Sequence, residues 1–335
     1  MVLTKPATCA VVIAGASSAS AKEPPSGTPR SPQNSSFLPP SISTFGNSIS
    51  ATVRLTKLHH DTVERIALVC GPHAKALHDH TAKALSVTAL QADERHGFVQ
   101  SKATPCWEAT VLDPKSKFVV ALGLGRRDET LILKLLQDAH RRVADPQSLV
   151  LFTDGLPSYA TVFPRVFGVA YRPPRKHLQG RPPAVRYRIP RSLAYTQVIK
   201  HREGRRLVEV EVRLAHGRQK RVDRELEVLG YTVANTSAIE RQNGTARQMT
   251  PHMHRKGLSF ARRAVTRSAL AHLVTLAYNW CRVNASLKRV IAEPQGKRRY
   301  EQRTPAMAIG IADRPFTLGE LLATPLYPSP AGSSH

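Results

Sequence analysis

The sequence predicts an α/β protein, a mixed sheet flanked by helices, on three observations. Short apolar runs of strand length recur over residues 87–92, 106–112 and 118–124. An amphipathic segment follows over 130–142, with Leu131, Leu135 and Leu136 on one helical face. Then Leu149-Val150-Leu151-Phe152, apolar throughout, ends in Thr153-Asp154-Gly155. A strand with no polar face needs cover on both sides, and helices alternating with strands supply it.

In chain order, residues 1–47 are rich in Ser, Pro, Ala and Thr without a sustained period, the composition of a disordered segment. Residues 48–85 predict a helix-turn-helix. Ile49 and Val53 before a tight turn, with Leu58, Val63 and Ile66 after it, are the inward positions that two short packed helices need. The second helix starts near His60 and offers His60, Thr62 and Arg65 to a DNA groove; an ordinary helical hairpin has the same spacing. The strands over 106–112 and 118–124 are joined by Asp113-Pro114-Lys115-Ser116, which is turn chemistry. Residues 165–230 read as a basic insertion, with Tyr171-Arg172-Pro173-Pro174-Arg175-Lys176 and Arg186-Tyr187-Arg188 mixing cations and rings. Guanidinium groups contact phosphates and tyrosines stack on bases, so Arg172, Arg175 and Lys176 are candidate DNA contacts; a solvated loop of like charge is the alternative. Leu207 to Val212 alternates like a strand. After Asn235-Thr236-Ser237 a helical stretch runs to about Val290, broken near Pro251 and Gly257, and residues 291–335 read as a loose basic tail.

Lys and Arg number 49 against 24 Asp and Glu, a formal charge of +25. Self-repulsion on that scale is costly to keep without a polyanionic partner, so nucleic acid leads, ahead of membrane surface and acidic protein. A membrane does not, since no run is apolar for long enough to span a bilayer. Cys9, Cys70, Cys106 and Cys281 lie too far apart for a Cys-x-x-Cys zinc site or a disulfide-dense scaffold.

In so basic a chain, carboxylates at strand ends and helix starts stand out. Asp93 follows the strand expected over 87–92, Asp154 ends the strand over 149–152, and Glu240 opens a helix; they are 61 and 86 residues apart. Three acids brought together repel one another unless a divalent cation sits among them, and oxygen-only ligands favour Mg²⁺ or Mn²⁺. Two such ions run in-line attack on a phosphodiester. Each acid also has an ordinary role available. Ser237-Ala238-Ile239-Glu240 is a capping box, Thr153-Asp154-Gly155 fits a turn, and Asp113 competes with Asp93 for the first place.

Gln91-Ala92-Asp93-Glu94, Trp107 through the hairpin to Gly125-Arg126, Phe152-Thr153-Asp154-Gly155, and Asn235-Thr236-Ser237-Ala238-Ile239-Glu240-Arg241-Gln242-Asn243-Gly244-Thr245-Ala246-Arg247 form a succession, continued by Tyr278-Asn279-Trp280-Cys281-Arg282 and Gln302-Arg303-Thr304-Pro305. It resembles the motifs of DDE-type transposases of bacterial insertion sequences, in the RNase H-like transposase and integrase superfamily. The resemblance implies an RNase H-like catalytic domain over 87–290, with Asp93, Asp154 and Glu240 holding two Mg²⁺ or Mn²⁺ ions, and Asn243 and Arg247 near the DNA or the metal. It also implies Mg²⁺-dependent cleavage and strand transfer on double-stranded DNA, between element ends and target DNA, by a homo-oligomer associated with the bacterial nucleoid in the cytoplasm. The alternatives are a catalytically inactive DNA-binding regulator, a domesticated or decayed relative, and a nuclease on RNA–DNA hybrids. Two features depart from many relatives. Arg95-His96-Gly97 stands where an apolar and aromatic pair follows the first Asp-Glu, and no paired-cysteine zinc ribbon precedes the helix-turn-helix.

Overall fold

The computed structural model describes residues 46–174, 182–204, 206–254, 257–295 and 298–326. The segment expected to be disordered, 1–47, lies outside the described residues except for its last two, and Arg175 and Lys176 lie outside them as well. The described chain divides into two compact units, one formed by 46–81, 98–104 and 244–326, the other by 82–97 and 105–243. This differs from boundaries at 87 and 290: residues 244–290 belong with the N-terminal helices.

In the first unit, α1 (Ile49–Thr56) begins at Ser48, whose hydroxyl accepts from the Ala51 N–H at 3.1 Å, and ends at Lys57 in the left-handed region, φ 60°. The turn reaches α2 (His60–Thr81), which runs 22 residues instead of the short helix expected. Val63, Ile66, Ala67, Cys70, Ala74 and Leu77 form its buried stripe at three- and four-residue spacing. That stripe needs a partner, and a later helix of the same unit supplies it.

The second unit is built on a six-stranded sheet. Its strands are β1 (Ala89–Arg95), β2 (Trp107–Leu112) and β3 (Val119–Gly125), then, after α3 (Glu129–Arg142), β4 (Val150–Thr153). Beyond α4 (Pro157–Phe167) a small exposed hairpin, β5 (Val169–Tyr171) and β6 (Arg186–Arg188), precedes β7 (Ala194–Glu203) and β8 (Arg206–His216). The order is β8-β7-β4-β1-β2-β3. β1 pairs antiparallel with β2 and parallel with β4; β4 pairs parallel with β7, and the two outer pairs, β2 with β3 and β7 with β8, are antiparallel. The expected mixed sheet flanked by helices is therefore present.

About a third of the region read as an insertion thus belongs to the sheet. Ala194, Tyr195, Thr196, Gln197 and Val198 are buried as the inner part of β7, but their Arg- and His-rich flanks hid the strand. Side chains alternate across a strand, and α5 (Gln219–Leu229) covers one face through Val222, packed with Val150, Phe152, Ala194 and Val198. On the other, Phe163 of α4 meets the Tyr195 ring at 5.2 Å. α6 (Ser237–Met249) closes the unit.

α7 (Ala264–Leu276) is the partner of α2. Gly71 permits the approach: a Cβ there would lie 2.4 Å from the Cα and Cβ of Ala269. This packing is why the C-terminal helices join the N-terminal unit. The tail expected to be loose carries a hairpin (Arg289–Gln295 with Arg298–Glu301) and two short helices, Pro305–Ile309 and Leu318–Ala323, capped by Thr304 and Thr317. Leu318, Leu321 and Leu322 bury themselves there, an apolar triplet whose basic, Pro-rich surroundings masked it. No helix among the described residues is long and apolar enough to cross a membrane.

Candidate metal centre

β1 and β4 are parallel neighbours in which Ala92 stands opposite Thr153. The next residue on each is Asp93 and Asp154, so the register itself delivers two carboxylates side by side. Asp93 lies inside β1, not after it, because β2 continues to pair as far as Arg95. Carboxylate oxygens of Asp93, Glu94 and Asp154 lie within 4.8 Å of one another. Glu240, the expected third member, lines the same cleft of about 560 Å³ with Asp93, Asp154, Arg127, Lys200 and Thr236. Glu94, not Glu240, completes the tight cluster.

Buried polar side chains fasten α6 to β1. Gln91 donates to the Asn235 carbonyl at 2.8 Å and accepts from the Ile239 N–H at 3.0 Å, which fixes the first turn of the helix and with it Glu240. Arg95 is 2% exposed. It donates to Gln242 Oε1 at 2.8 Å, Asn243 Oδ1 at 3.1 Å and Glu108 Oε2 at 2.8 Å. Since arginine only donates, Asn243 must turn its carbonyl to Arg95 and its amide to Asp93 Oδ2, which it reaches at 2.7 Å. Asp93 Oδ1 accepts from the Glu94 N–H at 2.8 Å. The departure at Arg95 is thus a support under Asp93.

Burial, followed by the charges of Glu94 and Asp154, pushes the Asp93 carboxyl up to about 6. Burial also raises Glu94 despite the hydroxyl of Tyr159, which donates to it at 2.5 Å, and Arg127, whose Nε lies at 3.0 Å. Tyr159 is held well above the usual phenol range by its burial and by Glu94. Arg127 also approaches Asp154 at 3.6 Å and lies 4.8 Å over the Trp107 ring. At Glu240, burial raises the carboxyl, but hydrogen bonds from Lys200 and Thr236 outweigh it and leave it below the ordinary value. The expected capping box does not form: Ser237 donates to Asn235 at 2.7 Å, while Glu240 takes Lys200 and the Thr236 hydroxyl.

Converging oxygen donors from three carboxylates, open to a cleft, are the donor set of a hard divalent cation, so these residues fit Mg²⁺ or Mn²⁺. The remaining expected residues are placed as follows. Asn243, expected near the DNA or the metal, is 2% exposed and engaged with Asp93 and Arg95, which makes it a support of the carboxylate. Arg247 follows one turn later, half-buried. His60 and Arg65 are exposed and Thr62 half-buried on the first turns of α2, while Arg172 is exposed just past β5. Asp113 is buried and accepts from the Lys115 and Ser116 N–H groups, as a turn residue does.

Sequence reasoning missed Glu94, Arg127, Lys200, Tyr159 and Arg95. Glu94 was within reach, as the neighbour of Asp93 in an acidic pair. The others come from segments whose approach to the cleft depends on strand order. No protein-family model and no curated protein matches the chain.

Proposed function

We propose that this chain is a DDE-type transposase, with an RNase H-like catalytic core and an N-terminal helix-turn-helix. One observation carries the reading. Asp93, Asp154 and Glu240, far apart in sequence, line a single open cleft on adjacent strand ends and a helix start. In this reading they hold two Mg²⁺ or Mn²⁺ ions with Glu94 beside them, and bound ions supply nucleophile activation and stabilisation of the leaving oxygen for in-line attack on a phosphodiester. The chain's own residues position the reaction. Asn243 and Arg95 fix the Asp93 carboxylate, Arg127 and Lys200 bring positive charge to the cleft wall where a phosphate enters, and Arg172 grips the DNA backbone. His60, Thr62 and Arg65 read the element's ends. Activity on two ends and a target calls for a homo-oligomer, working in the bacterial cytoplasm on nucleoid DNA.

A specific observation favours a second reading, a DNA-binding regulator without catalysis. Lys200 is paired with Glu240, and Arg127 lies between Glu94 and Asp154, so side-chain cations already answer the carboxylates. Mg²⁺-dependent nicking of a duplex carrying the element's end separates the two. The transposase reading expects Asp93→Asn, Asp154→Asn and Glu240→Gln each to lose activity by orders of magnitude while DNA binding persists. Retained activity in any of the three, with Asp113→Asn as the control, removes that residue from the site. An inactive wild type on a verified end favours the regulator.

A further inference from the structure

The six-stranded sheet ends on β8, which has no strand on its outer side among the described residues. β8 is 11 residues long, and a long unpaired edge is a template for another strand unless charge, proline or a cover blunts it. Its two faces differ. Val210 stands beside Lys200, Val212 beside Val198 and Leu214 beside Thr196 on one face; Glu209 stands beside His201, Glu211 beside Ile199 and Arg213 beside Gln197 on the other. Leu214 packs against the core under α5. The same face then continues outward as Val212 and Val210, which are 38% and 43% exposed, up to a bulge between Leu207 and Glu209. Single exposed valines are ordinary, but here the apolar face of the core runs out along an open edge.

Charge narrows the occupant. The strand carries both signs, Glu209 and Glu211 with Arg206 and Arg213, and Glu211 sits beside Arg213 and His201 of its own chain, a mixed edge that can complement itself and is no basic track for a phosphate backbone. A second copy of the strand fits better. We propose that β8 pairs antiparallel with β8 of a second copy about a two-fold axis through Val212, giving a continuous sheet of both copies. Facing residues then fall at equal distances from Val212. Glu211 meets Arg213 twice, Val210 meets Leu214 twice, and the two Val212 side chains meet each other, so over residues 210–214 charges face opposite charges and apolar groups face apolar ones. Neighbouring registers are worse. An axis through Glu211 sets the two Glu211 carboxylates face to face, an axis through Val210 sets Glu209 against Glu211 twice, and an axis between residues brings valines opposite charges. The pairing needs no metal chemistry and stands whether or not the acidic cleft is catalytic.

The test is the oligomeric state of the full chain, by sedimentation or light scattering, with far-UV circular dichroism as the folding control. The wild type is expected to be a dimer. Glu211→Arg and Arg213→Glu each place two like-charged pairs across the axis and should weaken it about tenfold or more. The double variant Glu211→Arg/Arg213→Glu restores both pairs and should restore dimerisation, and an equimolar mixture of the two single variants should form the mixed dimer in preference to either alone. A monomeric wild type overturns the proposal, and so does a dimer that both single variants leave unchanged. Failure of the double variant to recover, with its fold intact, overturns the register.

Discussion

Replacing Arg95 by Met removes a guanidinium that is almost fully buried and leaves its three acceptors behind. The largest loss is the pair with Glu108, 2.8 Å apart with both side chains 3% exposed. Removing one partner of such a pair costs about 3–5 kcal/mol, because a charge stays buried. The carbonyl oxygens of Gln242 and Asn243 each lose a donor as well, about 1 kcal/mol apiece. The comparison that isolates the cause is Arg95→Met/Glu108→Met. With both charges gone, the ion-pair part of the loss should largely return, leaving about 2 kcal/mol from the two amides. Urea unfolding followed by Trp107 fluorescence reads this unit, provided Trp280 in the other unit is first changed to Phe. A second consequence distinguishes position from stability. In the double variant nothing forces Asn243 to aim its amide at Asp93, so Mn²⁺ affinity should fall although the fold persists. A single variant that loses less than about 1 kcal/mol, or a double variant less stable than the single, refutes the buried network.

The remaining predictions concern charge, packing and DNA. The Asp93 carboxyl, raised to about 6 by burial and its acidic neighbours, binds a proton more tightly folded than unfolded. Its contribution therefore makes stability fall as pH rises from about 4 to about 6, by an order of 3 kcal/mol in total. Asp93→Asn should remove that slope apart from the same-sign share of Glu94, and a slope equal to wild type in thermal unfolding across that range counts against it. Gly71→Val puts a side chain into the 2.4 Å approach of α2 to Ala269 and should cost at least about 1–3 kcal/mol by overpacking, read as a lower melting temperature; an unchanged one means the helices are farther apart. Alanine at Arg172, Arg186 and Arg188 should weaken binding to every DNA sequence and lower the salt slope by about 1 per lost phosphate contact. Arg65→Ala should instead cut discrimination between element end and random duplex, by about 1–3 kcal/mol, and equal losses on both DNAs would leave α2 a core helix only.

What the sequence made legible followed local pattern. The short apolar runs of residues 106–112 and 118–124, the leucine spacing of 130–142 and the apolar run ending at Asp154 each sit within two residues of β2, β3, α3 and β4. The strand β7 was hidden because its buried stretch contains Thr196 and Gln197 between arginine-rich flanks, and a buried polar residue looks like a surface one until its neighbours are known. The length of α2 was underestimated for a related reason: Gly71-Pro72 looks like a helix stop, yet that glycine is what lets α7 approach. In the cleft, Asp93 and Asp154 could be found from strand ends, whereas Arg127 and Lys200 reach it only through the order of the sheet. Spacing along the chain carries no information about that order.

The electrostatics of the cleft bear on the proposed chemistry in a way neither sequence nor fold alone provides. A chain of formal charge +25 carries a field that favours polyanions, yet it brings Asp93, Asp154 and Glu240 to one cleft, with Glu94 buried beside the first two. Arg127 lies beside Glu94 and Asp154, and Lys200 beside Glu240, so the cleft carries both signs of charge where a phosphodiester would have to enter. In the proposed reaction a divalent cation would satisfy the carboxylates and attract the phosphate at once, a use for these acids that a regulator binding only duplex does not have. On the transposase reading, the burial of Asp93 and its fixation by Asn243 and Arg95 hold that carboxylate in place for the cation before it binds.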